Sequence, residues 1–475
     1  MGAKKHPKRS ARAGTKRNTT EQGTDDAGEG LKRSRRPQGR ERGNDYAGFR
    51  VPRGGPSRTG GSGVVERVPA ATMTDVRMWD EAIRQRRPIV LAGPPPPDLA
   101  RAWETWTDDR LSQVAGGCKV LVERRSGAAD TFGRGNRECM LFADFLKALR
   151  SPAAEQVYLT AQPRAVARDG HPAIAAPPLT RELLRDLPLP PAVMSGLALQ
   201  SVNVWMGSSR AGSSSGLHHD FHDNLYFLIR GKKRFRMFSP DKARGMRTHG
   251  EIERVHPNGR VVYRGGGDVR ADGASAAEVA AWERRRAALA AAGSDDGDDD
   301  ALDDLLEAQL RDVAAGDFDD DYEEDSSDSG GDTPSSGGGD DGAGLDGVAA
   351  GIAVGERRED AGAPEHFSRI DSALLDAGDD AAVRAVAPGF PGMEFCAEVE
   401  IEAGDVLYMP AGWFHEVTST SGAARDAAGH LAVNFWFHPP DSLAPGASGM
   451  AAAYSSPYWP SLWERRRRQL REGGL

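Results

Sequence analysis

Between Gly216 and Asn224 the chain reads Gly-Leu-His-His-Asp-Phe-His-Asp-Asn, which places three His and two Asp within residues 218–223. The next residues, Leu225-Tyr226-Phe227-Leu228-Ile229, form an apolar run of the kind that makes a buried strand. Ionisable groups at the edge of such a strand need partners, and a metal ion is the most economical one. His218 and Asp220 are two apart, and in extended chain residues i and i+2 project from one face at roughly 6.6 Å. One imidazole and one carboxylate so spaced can take adjacent positions on a single ion. A second His would complete the two-His, one-carboxylate set that holds Fe(II) with open positions for substrates. The best candidate is His415, in Gly404-Asp405-Val406-Leu407-Tyr408-Met409-Pro410-Ala411-Gly412-Trp413-Phe414-His415-Glu416-Val417. This stretch predicts a strand, a Pro-Ala-Gly turn and a second strand in which Trp413, His415 and Val417 share a face. A His alone on such a face is ordinarily a satisfied core histidine; the pairing with His218 and Asp220 favours a ligand.

Lys233 is the second group that asks for a partner. After Asn224 the chain alternates to Ile229, turns through Arg230-Gly231-Lys232 and resumes as Lys233-Arg234-Phe235-Arg236-Met237-Phe238. Period two places Lys233 with Phe235 and Met237, and Arg234 with Arg236 on the opposite face. An inward Lys beside an apolar strand needs an anion, and a charge-assisted hydrogen bond to a carboxylate contributes roughly 1.5–3 kcal/mol. The competing arrangement is a turn-adjacent Lys whose stem carries its ammonium out to water.

Three separated blocks carry a family resemblance: SSGLHHDFHDNLYFLIRGKKRFRMFSP (214–240), EIEAGDVLYMPAGWFHEV (400–417) and LAVNFWFHPP (431–440). Together, in this order, they resemble the JmjC or cupin-like class of 2-oxoglutarate oxygenases. The resemblance implies a mainly β, double-stranded β-helix (jelly-roll) fold with flanking helices, and Fe(II), 2-oxoglutarate and O2 as cofactor and co-substrates. It implies that His218, Asp220 and His415 bind the iron and that Lys233 pairs with the far carboxylate of 2-oxoglutarate. By similarity to the asparaginyl hydroxylase branch, Ser215 and Tyr158 also hold the co-substrate, and Asn224 and Asn434 fall on polar positions near the site. Two features depart from the pattern: Gly216 stands where many members have Pro, and a long insert separates the first two ligands from the third.

The elements that must position these residues follow from composition. The chain has 475 residues, 39% hydrophobic and 7% aromatic, with a formal net charge of -9. Charge is unevenly spread: residues 1–60 hold 16 Lys/Arg against 6 Asp/Glu, whereas residues 295–346 hold 21 acidic groups against Arg311 alone. The remainder is close to neutral. Residues 1–62 have few large apolar groups, which predicts a disordered basic tail. Its clusters Lys4-Lys5-His6-Pro7-Lys8-Arg9 and Lys32-Arg33-Ser34-Arg35-Arg36 read as import signals, a nucleic-acid arm or simply a soluble basic tail. Residues 63–280 read as the first part of one domain, 281–364 as a disordered acidic insert and 365–475 as the second part with a C-terminal helix.

Within the first part, helices are predicted over Met78 to Arg86, Leu99 to Trp106 and Leu141 to Leu149. Strands are predicted over Ile89 to Leu91, Cys118 to Glu123 and Ala198 to Met206. A hairpin is predicted over Glu253 to Tyr263. His249 and His256 lack partners at ligand spacing and read as surface histidines. In the insert, Leu302-Leu305-Leu306-Leu310 could fold on a partner. An insert of this length is tolerable, since each doubling of a loop costs only about 0.6 kcal/mol.

Several classes are excluded or disfavoured. No apolar h-region follows Met1, arguing against a secretory signal, and acidic residues among the first thirty disfavour a transit peptide. No run of eighteen apolar residues spans a membrane. Cys118, Cys139 and Cys396 show no ligand spacing and fit a reducing compartment, with nucleus or cytoplasm expected. Structural zinc fingers of the kind that accompany many histone demethylases are absent, so a protein or tRNA substrate for hydroxylation is favoured over histone lysine or arginine demethylation. The other classes are a metal-binding cupin without this chemistry, which has no need of an inward Lys233, and an interaction scaffold in which the acidic insert meets a basic partner. The oligomeric state stays open.

Overall fold

The computed structural model describes residues 43–54, 65–124, 136–151, 154, 157–166, 171–210, 212–292, 363–422, 429–445 and 449–471. The two basic clusters, most of the acidic insert and its Leu302–Leu310 piece lie outside the described residues. The fold is mainly β, with large antiparallel sheets.

The larger sheet has nine strands in the order Glu66–Pro69, Ile89–Ala92, Val406–Met409, Asp223–Arg230, His430–Phe437, Leu199–Gly207, Val157–Leu159, Lys119–Arg124 and Asn136–Leu141. The first pair is parallel and all other neighbours are antiparallel. The smaller sheet orders Ala397–Glu402, Lys232–Phe238, Phe414–Thr420 and Ser213–Ser214, with His218–His219 also paired to Phe414–Thr420.

The apolar run after Asn224 is buried on both faces, and period two shows against what. Tyr226 and Leu228 join Phe235 and Met237, Val399 and Ile401, and Leu407 in the core between the two sheets. Leu225, Phe227 and Ile229 face the other way, onto a second core with Leu111, Phe142, Phe145 and Trp463 from the helices Asp108–Ala115, Phe142–Ala148 and Tyr458–Arg471. Helices therefore brace the sheet from outside while the inner faces of the two sheets enclose the interior.

Four expectations are corrected. The first helix is shorter and earlier: Thr74 caps Asp75–Met78 by accepting a hydrogen bond from Arg77 N, a π-turn follows over Trp79–Ile83, and Arg86 at φ 55° ends it before Pro88. The N-terminal boundary at residue 62 is too late for residues 43–54, where Tyr46 and Val51 are buried in the domain and Tyr46 Oη donates to Phe49 O at 2.8 Å. The boundary at 281 is too early, because Ala276–Ala292 is a single helix anchored by Val279 and Trp282 on Tyr458 and Leu462. His256 is not a surface residue: it is buried, with Nε2 at 3.0 Å from Val269 O. The remaining predicted strands and the hairpin Ile252–Val255/Val261–Tyr263 are present with boundaries within two residues, and the C-terminal helix runs over Tyr458–Arg471.

Candidate active site

The pairing of His218–His219 with Phe414–Thr420 is the local event that assembles the site. His218 stands opposite His415 in register, so residues nearly two hundred positions apart become cross-strand neighbours with ring centroids 4.3 Å apart. Asp220, two residues on, presents Oδ2 at 3.9 Å from His415 Nε2. His218, Asp220 and His415 each offer one ligand atom, all within 4.8 Å of one another.

Both imidazoles are oriented by the backbone. His218 Nδ1 lies 2.9 Å from Gly216 O and His415 Nδ1 2.9 Å from Trp413 O. A carbonyl oxygen only accepts, so each Nδ1 carries the proton and each Nε2 keeps its lone pair for a metal. Burial, and next the neighbouring His218, push His415 down to about 4, so it stays neutral at physiological pH. Gly216 adopts φ +72°, which a Pro fixed near -65° cannot reach, so this backbone accounts for the departure noted above.

Asp220 is fixed through a chain of amides. Asn224 Nδ2 donates to Asp220 Oδ2 at 3.0 Å, Asn434 Nδ2 donates to Asn224 Oδ1 at 3.2 Å, and Asn434 Oδ1 accepts from Asn203 Nδ2 and Trp205 Nε1. Asn224 thus contacts the Asp220 carboxylate directly and Asn434 reaches it only through Asn224, and both lie on the cavity wall. Burial raises the Asp220 pKa but the His415, His218 and Asn224 contacts outweigh it, so the carboxylate is held below its ordinary value.

A cavity of about 280 Å³ opens on these ligands and is walled by Ser215, Tyr158, Asn224, Asn434 and Lys233 as well. Lys233 is 1% exposed and points inward with Phe235 and Met237, as period two required. Its Nζ donates to Ser419 Oγ at 2.6 Å and sits 5.8 Å from the rings of Tyr158 and Tyr226. No carboxylate among the described residues lies within ion-pair distance, and burial pushes Lys233 down to about 7. Ser215 accepts from Val417 N at 3.0 Å and donates to Gly216 O, which ties the His218 loop to the strand of His415. Tyr158 is packed against Gly207, where a Cβ would meet its ring at 2.5 Å. These residues fit iron and a dicarboxylate: a three-point donor set and an inward cation with no carboxylate at ion-pair distance among the described residues share one cavity.

The other groups of the 218–223 cluster do different work. His219 Nε2 accepts from Tyr263 Oη at 2.8 Å, facing away from the ligands. Asp223 forms a fully buried pair with Arg86, with Nη1–Oδ2 at 2.8 Å, and accepts from Tyr408 Oη at 2.7 Å and Ala411 N at 3.0 Å. That network pins the Pro-Ala-Gly turn before His415 to the strand after Asp220. Sequence reasoning missed Arg86, and it missed His366 and Phe367. Phe367 stacks on His218 with centroids 4.9 Å apart, and His366 packs on His218, His219 and Phe221. Their signal was their position at the end of the acidic insert, which returns the chain to the cavity wall.

A family model described as Cupin-like domain matches residues 75–443. The chain is also 30% identical over 408 residues, 78% of this chain and 84% of the relative, to JmjC domain-containing protein 4 of Schizosaccharomyces pombe (strain 972 / ATCC 24843).

Proposed function

This chain belongs to the cupin-like, JmjC-type domain family, which includes 2-oxoglutarate oxygenases, and on that premise we propose that it is an Fe(II)- and 2-oxoglutarate-dependent hydroxylase acting on a protein side chain or a tRNA nucleoside. The observation that carries this reading is the coincidence in one cavity of the His218, Asp220 and His415 donor set with a buried Lys233 that has no carboxylate partner among the described residues. A metal-binding cupin without the keto acid would leave Lys233 buried at a cost and unexplained.

When bound, iron with 2-oxoglutarate and O2 supplies an oxidant that converts a C–H into C–OH and leaves succinate and CO2. The chain's own part is to hold and to orient. His218 Nε2, Asp220 and His415 Nε2 would hold the metal and leave room for small molecules on it. Gly216 O, Trp413 O and Asn224 keep those atoms aimed without further reorganisation. Lys233 receives the far carboxylate, with Tyr158 on the same wall and Ser215 beside it. Phe367 covers one face of His218 and limits water there. Trp205 and Trp436 line the same cavity.

The reading is tested by incubating the full chain with Fe(II), 2-oxoglutarate and O2 and measuring succinate. Even without a primary substrate, slow conversion is expected in the wild type and none in His218→Ala. Equal succinate from both proteins refutes it.

A further inference from the structure

A second cavity of about 240 Å³ lies between the C-terminal helix and the outer side of the large sheet. Its wall includes Arg164, Arg466, Trp463, Gln200, His438 and Trp459. The one carboxylate among the described lining residues belongs to exposed Glu278. Arg164 Nη1 donates to Ala173 O at 3.3 Å and Gln200 O at 3.1 Å, and Arg466 Nη2 to Pro172 O at 3.2 Å, so backbone carbonyls fix both guanidinium groups in place. Burial, and after it the charge of Arg466, lower the Arg164 pKa. Burial and then the neighbouring His222, Arg466, Arg260 and His171 hold His438 well below the ordinary value, so the imidazole is neutral in a field of positive sign.

A further group asks for an occupant. Trp463 is 2% exposed and its Nε1 donor has no acceptor among the described residues. Buried polar atoms in native proteins nearly always have partners. Trp459 supplies a flat apolar wall, stacked on His438 with centroids 3.4 Å apart. The site is distinct from the first cavity: His438 leads through His222, at 5.8 Å, to Trp436, at 5.7 Å, and only Trp436 belongs to the first cavity.

We propose that this cavity is a binding site for a small organic acid, its carboxylate accepting from Arg164, Arg466 and Trp463 Nε1 and its flat apolar body against Trp459. The volume lies below the roughly 300–1,000 Å³ of sites for drug-sized ligands, which limits the occupant to a small molecule. Bidentate pairing of a planar carboxylate with a guanidinium is the geometry such a site selects.

The test uses 4-fluorobenzoate and fluorine NMR with the full-length protein. Saturable binding is expected in the wild type, weakened about tenfold or more in Arg164→Gln, as expected for loss of a charged hydrogen bond, and unchanged in Lys233→Ala. The neutral 4-fluorobenzyl alcohol is expected to bind at least about tenfold more weakly than the acid. If Arg164→Gln fails to fold by circular dichroism, Arg466→Gln, on the half-exposed helix face, carries the same expectation. Absence of saturable binding, equal affinity in the Arg variants, equal affinity for the alcohol, or loss of binding in Lys233→Ala alone overturns the proposal; the last would place the acid in the first cavity.

Discussion

Lys233 makes the affinity for 2-oxoglutarate pH-dependent in a way that can be worked from its environment. In the ligand-free site, burial depresses its pKa to about 7, against an ordinary value of 10.5. Only the protonated form offers a cation to the far carboxylate, and apparent affinity falls by the fraction of protein in the competent form. With a midpoint at about 7, that fraction is about 0.9 at pH 6 and about 0.1 at pH 8, so the apparent Kd rises about tenfold over those two units. Lys233→Ala removes the pairing altogether, about 1.5–3 kcal/mol, which is about 10- to 150-fold in Kd, and leaves little pH dependence over the same range. Anaerobic calorimetric titration of the Mn(II)-loaded protein with 2-oxoglutarate at a series of pH values measures both quantities. A flat profile in the wild type, or an unchanged Kd in Lys233→Ala, refutes the assignment.

Asn224→Ala removes the amide that aims Asp220 and is expected to weaken Fe(II) binding about 10- to 100-fold with little change in fold, read by metal titration beside circular dichroism. Arg86→Leu leaves Asp223 buried without its partner and is expected to cost about 3–5 kcal/mol in urea unfolding, while Arg86→Leu combined with Asp223→Leu costs less than the single change; equal losses contradict the network. Replacing residues 293–362 with a Gly/Ser linker of about twenty residues is expected to preserve succinate formation, because loop length enters stability only logarithmically and the cavity-lining Pro364, His366 and Phe367 are retained. Loss of activity in that folded variant assigns the insert a part in the reaction.

How much of this was legible in the sequence depended on the range over which each signal acts. Alternation over a few residues placed Lys233 beside Phe235 and Met237, and the dense spacing of His218 and Asp220 marked two of the three residues of the donor set. His415 needed its own block, since a cross-strand pairing across nearly two hundred residues leaves no local trace. Asp223 illustrates the opposite limit. It sat in the same ionisable cluster as the ligands, yet its partner Arg86 lies 137 residues away at a helix end, and only the folded chain shows the pair. Residues 43–54 were masked by their Gly- and Arg-rich surroundings, because Tyr46 and Val51 are buried by distant parts of the chain rather than by neighbours. His256 failed for a related reason: a backbone carbonyl satisfied it, and ligand spacing cannot detect such a partner.

The proposed arrangement puts iron on His218, Asp220 and His415 and the keto acid on that metal and Lys233, all in one cavity. It is tested most directly by anaerobic titration of the metal-free protein with Fe(II) and 2-oxoglutarate, following the visible metal-to-keto-acid charge-transfer band. A band in the wild type, weaker in Lys233→Ala and absent in His415→Ala, is the predicted result. No band from wild-type protein shown to be folded contradicts it.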